Sequence, residues 1–166
     1  MKFITFVRHA KSSWKDRTIP DMSRPLNQRG RSNVPEMGGR LEYRRIKVEH
    51  LYTSPALRAT ETAVLLATTL RFPKECIEHV SGLYSFNYED LLLWLRSLPR
   101  GQDNIVVVAH NPAITDLVNF LALSDLENIP TCGIVHMKAD IDCWSELGAG
   151  TAVIDFHIYP RQIDLG

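Results

Sequence analysis

The sequence predicts an α/β fold: one three-layer domain over residues 1–166, with a mainly parallel central sheet flanked by helices. Three observations predict it. Apolar runs alternate along the chain with amphipathic stretches. The run IVVVA, Ile105 to Ala109, is apolar at every position, as a strand covered on both faces should be. Only the last two strand-like segments follow one another without a helix between them. At least one of those two is therefore expected to run antiparallel.

Each element has its own local signal. Phe3 to Val7 is apolar or β-branched and reads as the first strand. Thr18 to Arg31 is polar and Pro-containing, so it begins as a loop. Val34, Met37 and Leu41 then share one helical face, but Pro35, Gly38 and Gly39 predict a distorted or late-starting helix. His50 to Thr53 is a short strand. Ser54-Pro55 offers a capping hydroxyl and a proline for a helix start, and Ala56 to Leu70 carries the helix itself. Cys76 to Val80 is expected as a strand and the leucine-rich Tyr88 to Leu98 as a helix. Asn111-Pro112 opens another helix, to about Leu123. Ile134 to Ile141 and Thr151 to Tyr159 close the chain as two strands, joined by a loop containing Trp144.

Composition excludes several classes of function. The 166 residues carry 19 basic and 19 acidic side chains, so no global field favours nucleic acid or an anionic membrane. No apolar run is long enough to span a bilayer. MKFITFVRHA reaches charge too early for a secretory signal. The three cysteines, Cys76, Cys132 and Cys143, lack CxxC spacing and are odd in number. They predict a reducing, cytoplasmic setting and thiols that act as packing residues. Nothing points to an obligate interface, so a monomer is the simplest expectation.

Chemistry concentrates at three strand ends. In open α/β sheets ligands bind outside the carboxyl ends of the strands. FITFV ends in Arg8-His9, HLYT ends in Ser54 with Arg58 just inside the next helix, and IVVVA ends in His110-Asn111. A helical Cβ tilts toward the helix N-terminus, so Arg58 can reach back over the strand end. Neighbouring strands would then bring two arginines and two histidines into one pocket. Arginine offers a planar fork that matches two phosphate oxygens, and a neutral histidine is a competent nucleophile toward phosphorus. The helix near Pro112 adds a positive dipole end. No Gly-rich lysine loop is present to cradle a nucleotide. Each residue alone has an ordinary structural explanation; the joint placement carries the expectation. His50, His79, His136 and His157 are expected to be structural. The basic group Arg24, Arg29, Arg31, Arg40, Arg44, Arg45 and Lys47 is expected as a solvated face, with docking of an acidic protein as the minority reading.

These motifs resemble a known family. VRHAKSSW is similar to the Arg-His-Gly signature of the histidine phosphatase superfamily, of phosphoglycerate-mutase-like fold, with Ala10 in place of the glycine. TSPALRATET, Thr53 to Thr62, resembles its second motif and VAHNP, Val108 to Pro112, its third. The short length, RHAKSSW and RPLNQRG (Arg24 to Gly30) look most like SixA-type phosphohistidine phosphatases. The resemblance implies His9 as the phosphorylated nucleophile and Arg8 and Arg58 as ligands of the phosphoryl oxygens. It implies His110 as the group completing the pocket, and Ser12 and Asn111 as contacts to substrate or supports for the histidines. It implies no metal and no cofactor.

One departure bears on substrate. Larger members carry a carboxylate general acid after the third strand, but SGLYSFNYED, Ser81 to Asp90, has none directly after Leu83-Tyr84. Glu89 and Asp90 come later and suit a helix N-terminus. An alkoxide leaves poorly without a proton, and general acid help is worth about 10²–10⁴-fold. Imidazole, with a conjugate-acid pKa of about 6.5, leaves more readily. The expected activity is therefore hydrolysis of phosphohistidine in proteins through a phosphohistidine intermediate on His9. Two alternatives stand beside it: a general phosphatase for small phosphate esters, and a non-catalytic phosphate-binding module.

Overall fold

The computed structural model describes residues 1–161. The strands are β1 (Lys2–Arg8), β2 (His50–Thr53), β3 (Glu78–His79), β4 (Asn104–Ala109), β5 (Ile134–Ala139) and β6 (Ala152–Ile158). The helices are α1 (Gln28–Tyr43), α2 (Leu57–Leu70), α3 (Tyr88–Arg96) and α4 (Ala113–Ala122). The six strands form one sheet in the order β3-β2-β4-β1-β5-β6.

The sheet is mixed rather than mainly parallel. β3-β2, β2-β4 and β4-β1 pair in parallel, whereas β5 is antiparallel to both β1 and β6. The reason lies in the connections. Parallel neighbours need a crossover, and helices α1 to α3 supply it between the first four strands, whereas α4, between β4 and β5, leads into a strand that runs the other way. β5 and β6 are joined by a loop containing Trp144, so they pair as antiparallel neighbours.

Period-2 alternation divides the core between the two faces. Ile4, Phe6, Tyr52, Ile105 and Val107 face α3 and α4. Val7, Leu51, Val106 and Val108 face α1 and α2. β4 is covered on both sides, as its uninterrupted apolar run requires.

Three local expectations are corrected. α1 is neither distorted nor late: Asn27 caps it, its side chain accepting from the Gly30 amide at 2.8 Å. Burial of Val34, Met37, Gly38 and Leu41 outweighs the hydrogen bond lost at Pro35. The third strand is only Glu78–His79, preceded by a 3-10 turn at Lys74–Cys76. Ser54 is not a side-chain cap for α2, which starts at Leu57 after Ala56. A fourth expectation fails in part: only Cys132 of the three free thiols is buried, and Cys76, expected as a packing residue, is exposed. No helix among the described residues is long and apolar enough to cross a membrane.

Glycine sets how closely α1 approaches the loop after β1. A Cβ on Gly30 would lie 2.2 Å from the Lys11 carbonyl oxygen, which itself accepts from the Asn27 amide at 2.9 Å. A Cβ on Gly39 would meet nothing within 4 Å. Gly30→Ala is therefore expected to cost about 1–3 kcal/mol in urea unfolding through overpacking. Gly39→Ala, on the same helix, is expected to be neutral or to stabilise by about 0.5–1 kcal/mol. Equal effects at the two positions would contradict this packing.

Candidate active site

The parallel register assembles the site. β1 pairs with β4 so that Arg8 stands opposite Ala109, and the next residues are His9 and His110. Their rings lie 5.2 Å apart. β2 pairs with the other edge of β4, with Thr53 opposite Val108, so Ser54 emerges beside His110. The Ser54 amide donates to the Val108 carbonyl at 3.0 Å.

The tautomers follow from the partners. His9 Nδ1 is 2.8 Å from the Ala10 carbonyl, which can only accept, so Nδ1 carries the proton and Nε2 holds a lone pair. The Arg58 Nε–H points at that lone pair from 3.4 Å. Arg58 Nη2 lies 3.4 Å from His110 Nδ1, and His110 Nε2 is 2.8 Å from Ser54 Oγ. His110 is thus set with Nε2–H donating to the serine and Nδ1 facing the guanidinium. Ser54, expected as a helix cap, fixes the orientation of His110 instead.

Arg58 sits in the first turn of α2 and is 2% exposed. Thr62, one turn later, accepts from the Ala10 amide at 3.0 Å and donates to the Arg58 carbonyl at 2.7 Å. This ties the strand end to the helix. Ala10 is buried and has no positive φ, so nothing at this position demands glycine. Arg8 donates through Nη1 to the Ile129 carbonyl at 2.9 Å, while its buried Nε has no partner among the described residues. The Cys132 amide donates to both the Arg8 and His9 carbonyls at 3.1 Å, with Cys132 at φ 60°, a conformation that costs a non-glycine residue free energy. Burial pushes the Cys132 thiol up to about 12, so it is inert as a nucleophile.

The six residues singled out in the sequence do not all converge. Arg8, His9, Arg58 and Ser12 line one cavity of about 340 Å³, and His110 stands against His9 and Arg58 behind it. Asn111 is not in the wall. Its Oδ1 accepts from the Thr115 amide and hydroxyl at 3.2 and 2.9 Å, and its Nδ2 donates to Asn128 and to the Ile129 carbonyl. Asn111 therefore occupies the start of α4 that was expected to offer a dipole end, and it braces the Ile129 carbonyl that holds Arg8.

Four further residues build the site. Arg24, expected on a solvated face, is 6% exposed and lines the cavity. Its Nη1 donates to Ser12 Oγ, its Nε donates to Asp21 Oδ1 at 3.2 Å, and its guanidinium lies 3.6 Å from the exposed Trp14 ring centroid. Asp21 also lines the cavity. Its Oδ2 accepts from Arg58 Nη2 at 3.0 Å and from the Tyr84 hydroxyl at 2.6 Å. Tyr84 and Phe86 pack against the His110 ring at 5.4 and 5.8 Å. Arg24 had a sequence signal in RPLNQRG; Asp21, in a loop with no periodicity, had none. Glu89 and Asp90 lie outside the cavity, Asp90 accepting from Ser85 at 2.7 Å. In the rest of the basic group Arg29, Arg31, Arg44, Arg45 and Lys47 are exposed as expected, whereas Arg40 is half-buried and donates to the Tyr159 carbonyl at 2.9 Å.

The electrostatics favour an incoming anion. Burial lowers His9 to about 4, against the raising effect of the Ala10 hydrogen bond and with further lowering by Arg58, Arg8 and Arg24. Burial, then His9 and Arg58, lower His110 to about 3 against the pull of Asp21. Both imidazoles are therefore neutral at pH 7. Burial alone would raise Asp21, but hydrogen bonds from Tyr84 and Arg58, the Arg58 charge and Arg24 bring it down to about 2. Three guanidiniums, one carboxylate and two neutral imidazoles make a net cationic cleft shaped for a small polyanion. Among the described residues no set of three His, Cys, Asp or Glu side chains is arranged to hold a metal ion.

Known proteins share this architecture. The SixA protein histidine phosphatase bound to tungstate superposes with a TM-score of 0.79, covering 94% of this chain and 96% of that one at 21% identity. A mycobacterial glucosyl-3-phosphoglycerate phosphatase superposes with a TM-score of 0.65, covering 94% and 98% at 14% identity. An uncharacterized protein of Mycobacterium tuberculosis is 29% identical over 169 residues, covering 93% of this chain and all of that protein. The model of the histidine phosphatase superfamily, branch 1, matches residues 4–92, the stretch that contains Arg8, His9 and Arg58. The chain belongs to the histidine phosphatase superfamily.

Proposed function

We propose that the protein is a phosphatase that hydrolyses phosphohistidine in proteins through a phosphoryl group carried on His9. One observation bears most of the reading: a neutral imidazole lone pair, His9 Nε2, faces Arg58 inside a cavity that holds no protonated carboxyl. Substrate phosphate docks against Arg8 and Arg58, whose N–H groups match its oxygens. His9 Nε2 attacks phosphorus as the bond to the leaving group breaks. Water then attacks the phosphoryl group, the bonding pair returns to His9, and inorganic phosphate is released. A phosphoryl dianion beside His110 offsets its desolvation, so His110 gains a proton at Nδ1 and donates to the transferring oxygens.

Asp21 is the carboxyl group of the cavity, and it stays ionised down to about pH 2. It has no proton to give an alkoxide at neutral pH. That supports a leaving group needing little help, such as the imidazole of a phosphohistidine, over a serine or sugar alkoxide. A general phosphatase for small esters is the second reading, supported by the likeness to a glucosyl-3-phosphoglycerate phosphatase. A phosphate-binding module would not need the nucleophile.

Brief mixing with a phosphohistidine peptide, quenching at high pH and mass spectrometry should find phosphate on His9, and a phosphoserine peptide should give none. Equal labelling from both would move the assignment to the general phosphatase. Phosphate bound tightly with neither labelling nor release would favour the binding module. His9→Ala should lose turnover altogether.

The pH dependence has a definite sign. A lowered pKa keeps the imidazole unprotonated between about 4 and the usual value of about 6.5. The titration of His9 followed by NMR in the free enzyme should therefore have its midpoint near 4, with the lone pair available above it. A midpoint near 6.5 would contradict the buried, cation-ringed site.

A further inference from the structure

We propose that Asp21 is the proton acceptor for the water that hydrolyses phospho-His9. This rests on the histidine-phosphatase reading of the site and assigns it a residue that no motif marks.

The geometry carries the assignment. One guanidinium, Arg58, is bracketed by the two reactive groups. Its Nε lies 3.4 Å from His9 Nε2, and its Nη2 lies 3.0 Å from Asp21 Oδ2. A phosphoryl group bound to His9 and to Arg58 would share that guanidinium with the carboxylate. Water attacks phosphorus in line, from the face opposite His9, and Asp21 is the carboxylate that lines this cavity. Asp21 also stands where the phosphoryl cavity meets a second cavity of about 490 Å³, lined by Trp14, Asp16, Arg17, Ile19 and Arg24 as well.

Other carboxylates are held elsewhere: Asp16 lines only the second cavity and accepts from the Thr18 amide and hydroxyl at 2.9 and 2.5 Å. Asp90 accepts from Ser85 beside a separate cavity near Trp94, and Glu89 lines none of these pockets. Tyr84 gives Asp21 a fixed orientation through its 2.6 Å hydrogen bond, and the Arg24 and Arg58 contacts complete it.

The charge balance also fits. In the free enzyme Asp21 is held ionised by Tyr84, Arg58 and Arg24. When a phosphoryl group takes over the arginine N–H groups, those contacts weaken and a like charge arrives, so the carboxylate becomes a better base. In the hydrolytic step the water oxygen forms its bond to phosphorus. The N–P bonding pair returns to His9 Nε2, the water proton passes to Asp21 Oδ2, and from there it goes to solvent. No oxidant, metal or second substrate enters the balance.

The test separates the two chemical steps. p-Nitrophenyl phosphate has a leaving group that departs without a proton, so its first step does not call on Asp21. Asp21→Asn should release about one nitrophenolate per chain in a fast burst. It should then turn over about a hundred-fold slower than the parent, with phospho-His9 accumulating in quenched samples. Asp21→Ala should show the same burst, and added formate should restore part of its steady rate. Unchanged steady turnover in both variants would overturn the proposal. Loss of the burst, with phosphorylation and hydrolysis falling together, would also overturn it and leave Asp21 as a support for Arg58. Failure of the unsubstituted enzyme to form phospho-His9 is a different outcome: it removes the histidine-phosphatase reading itself, and this proposal with it.

Discussion

The parallel register of β1 against β4 is the constraint on which the rest of the site depends. Arg8 opposite Ala109 makes His9 and His110 the next residues on two adjacent strands. Side chains alternate between faces with period two, so a slip of one residue would send one histidine into a helix-covered face. That register is held by apolar packing on both faces of β4, whose six-residue strand is buried at five positions. The chemistry at the strand ends is therefore secured by the least chemical part of the molecule, the run IVVVA.

What the register brings together would not stay together by charge alone. Three guanidiniums and two imidazoles repel one another when all are protonated. Burial resolves this by keeping the histidines neutral, and Asp21 resolves more of it by taking hydrogen bonds from two of the arginines. The guanidiniums in turn are aimed by acceptors that are not substrate: the Ile129 carbonyl for Arg8, Ser12 for Arg24, and the Asp21 carbonyl and carboxylate for Arg58. Such pre-orientation is how a site stabilises charge that develops during phosphoryl transfer without having to reorganise. Outside this ring sits an aromatic wall of Tyr84 and Phe86 against His110, which limits how water reaches it.

Much of this was legible in the residues, for a physical reason. Strands and helices announce themselves through periodicity, and strand ends in an open α/β sheet are where ligands bind, so Arg8, His9, Arg58 and His110 could be found from order and spacing. Ser12 could be placed near the site but not given its task of holding Arg24. Ser54 was misread because a hydroxyl before proline looks like a helix cap, and only the neighbouring strand shows that it serves His110. Arg24 was marked only by the likeness of RPLNQRG, since burial of one charge in a basic segment has no local pattern. Asp21 was not legible at all: its partners Arg58 and Tyr84 lie 37 and 63 residues away, and a loop carries no periodicity to reveal that they meet. The direction of β5 was half legible, because the missing helix between the last two strands signals antiparallel pairing but does not say with which neighbours.

The most direct test of this account is a crystal structure of the protein with vanadate, which takes on the trigonal-bipyramidal geometry of a phosphoryl group in transfer. Vanadium is expected to be bonded to His9 Nε2. Its equatorial oxygens should be held by Arg8, Arg58 and His110, and the Asp21 carboxylate should stand at the apical oxygen opposite His9. Vanadate bonded through another residue, or lying outside the cleft with Arg58 still bound to Asp21, would contradict it.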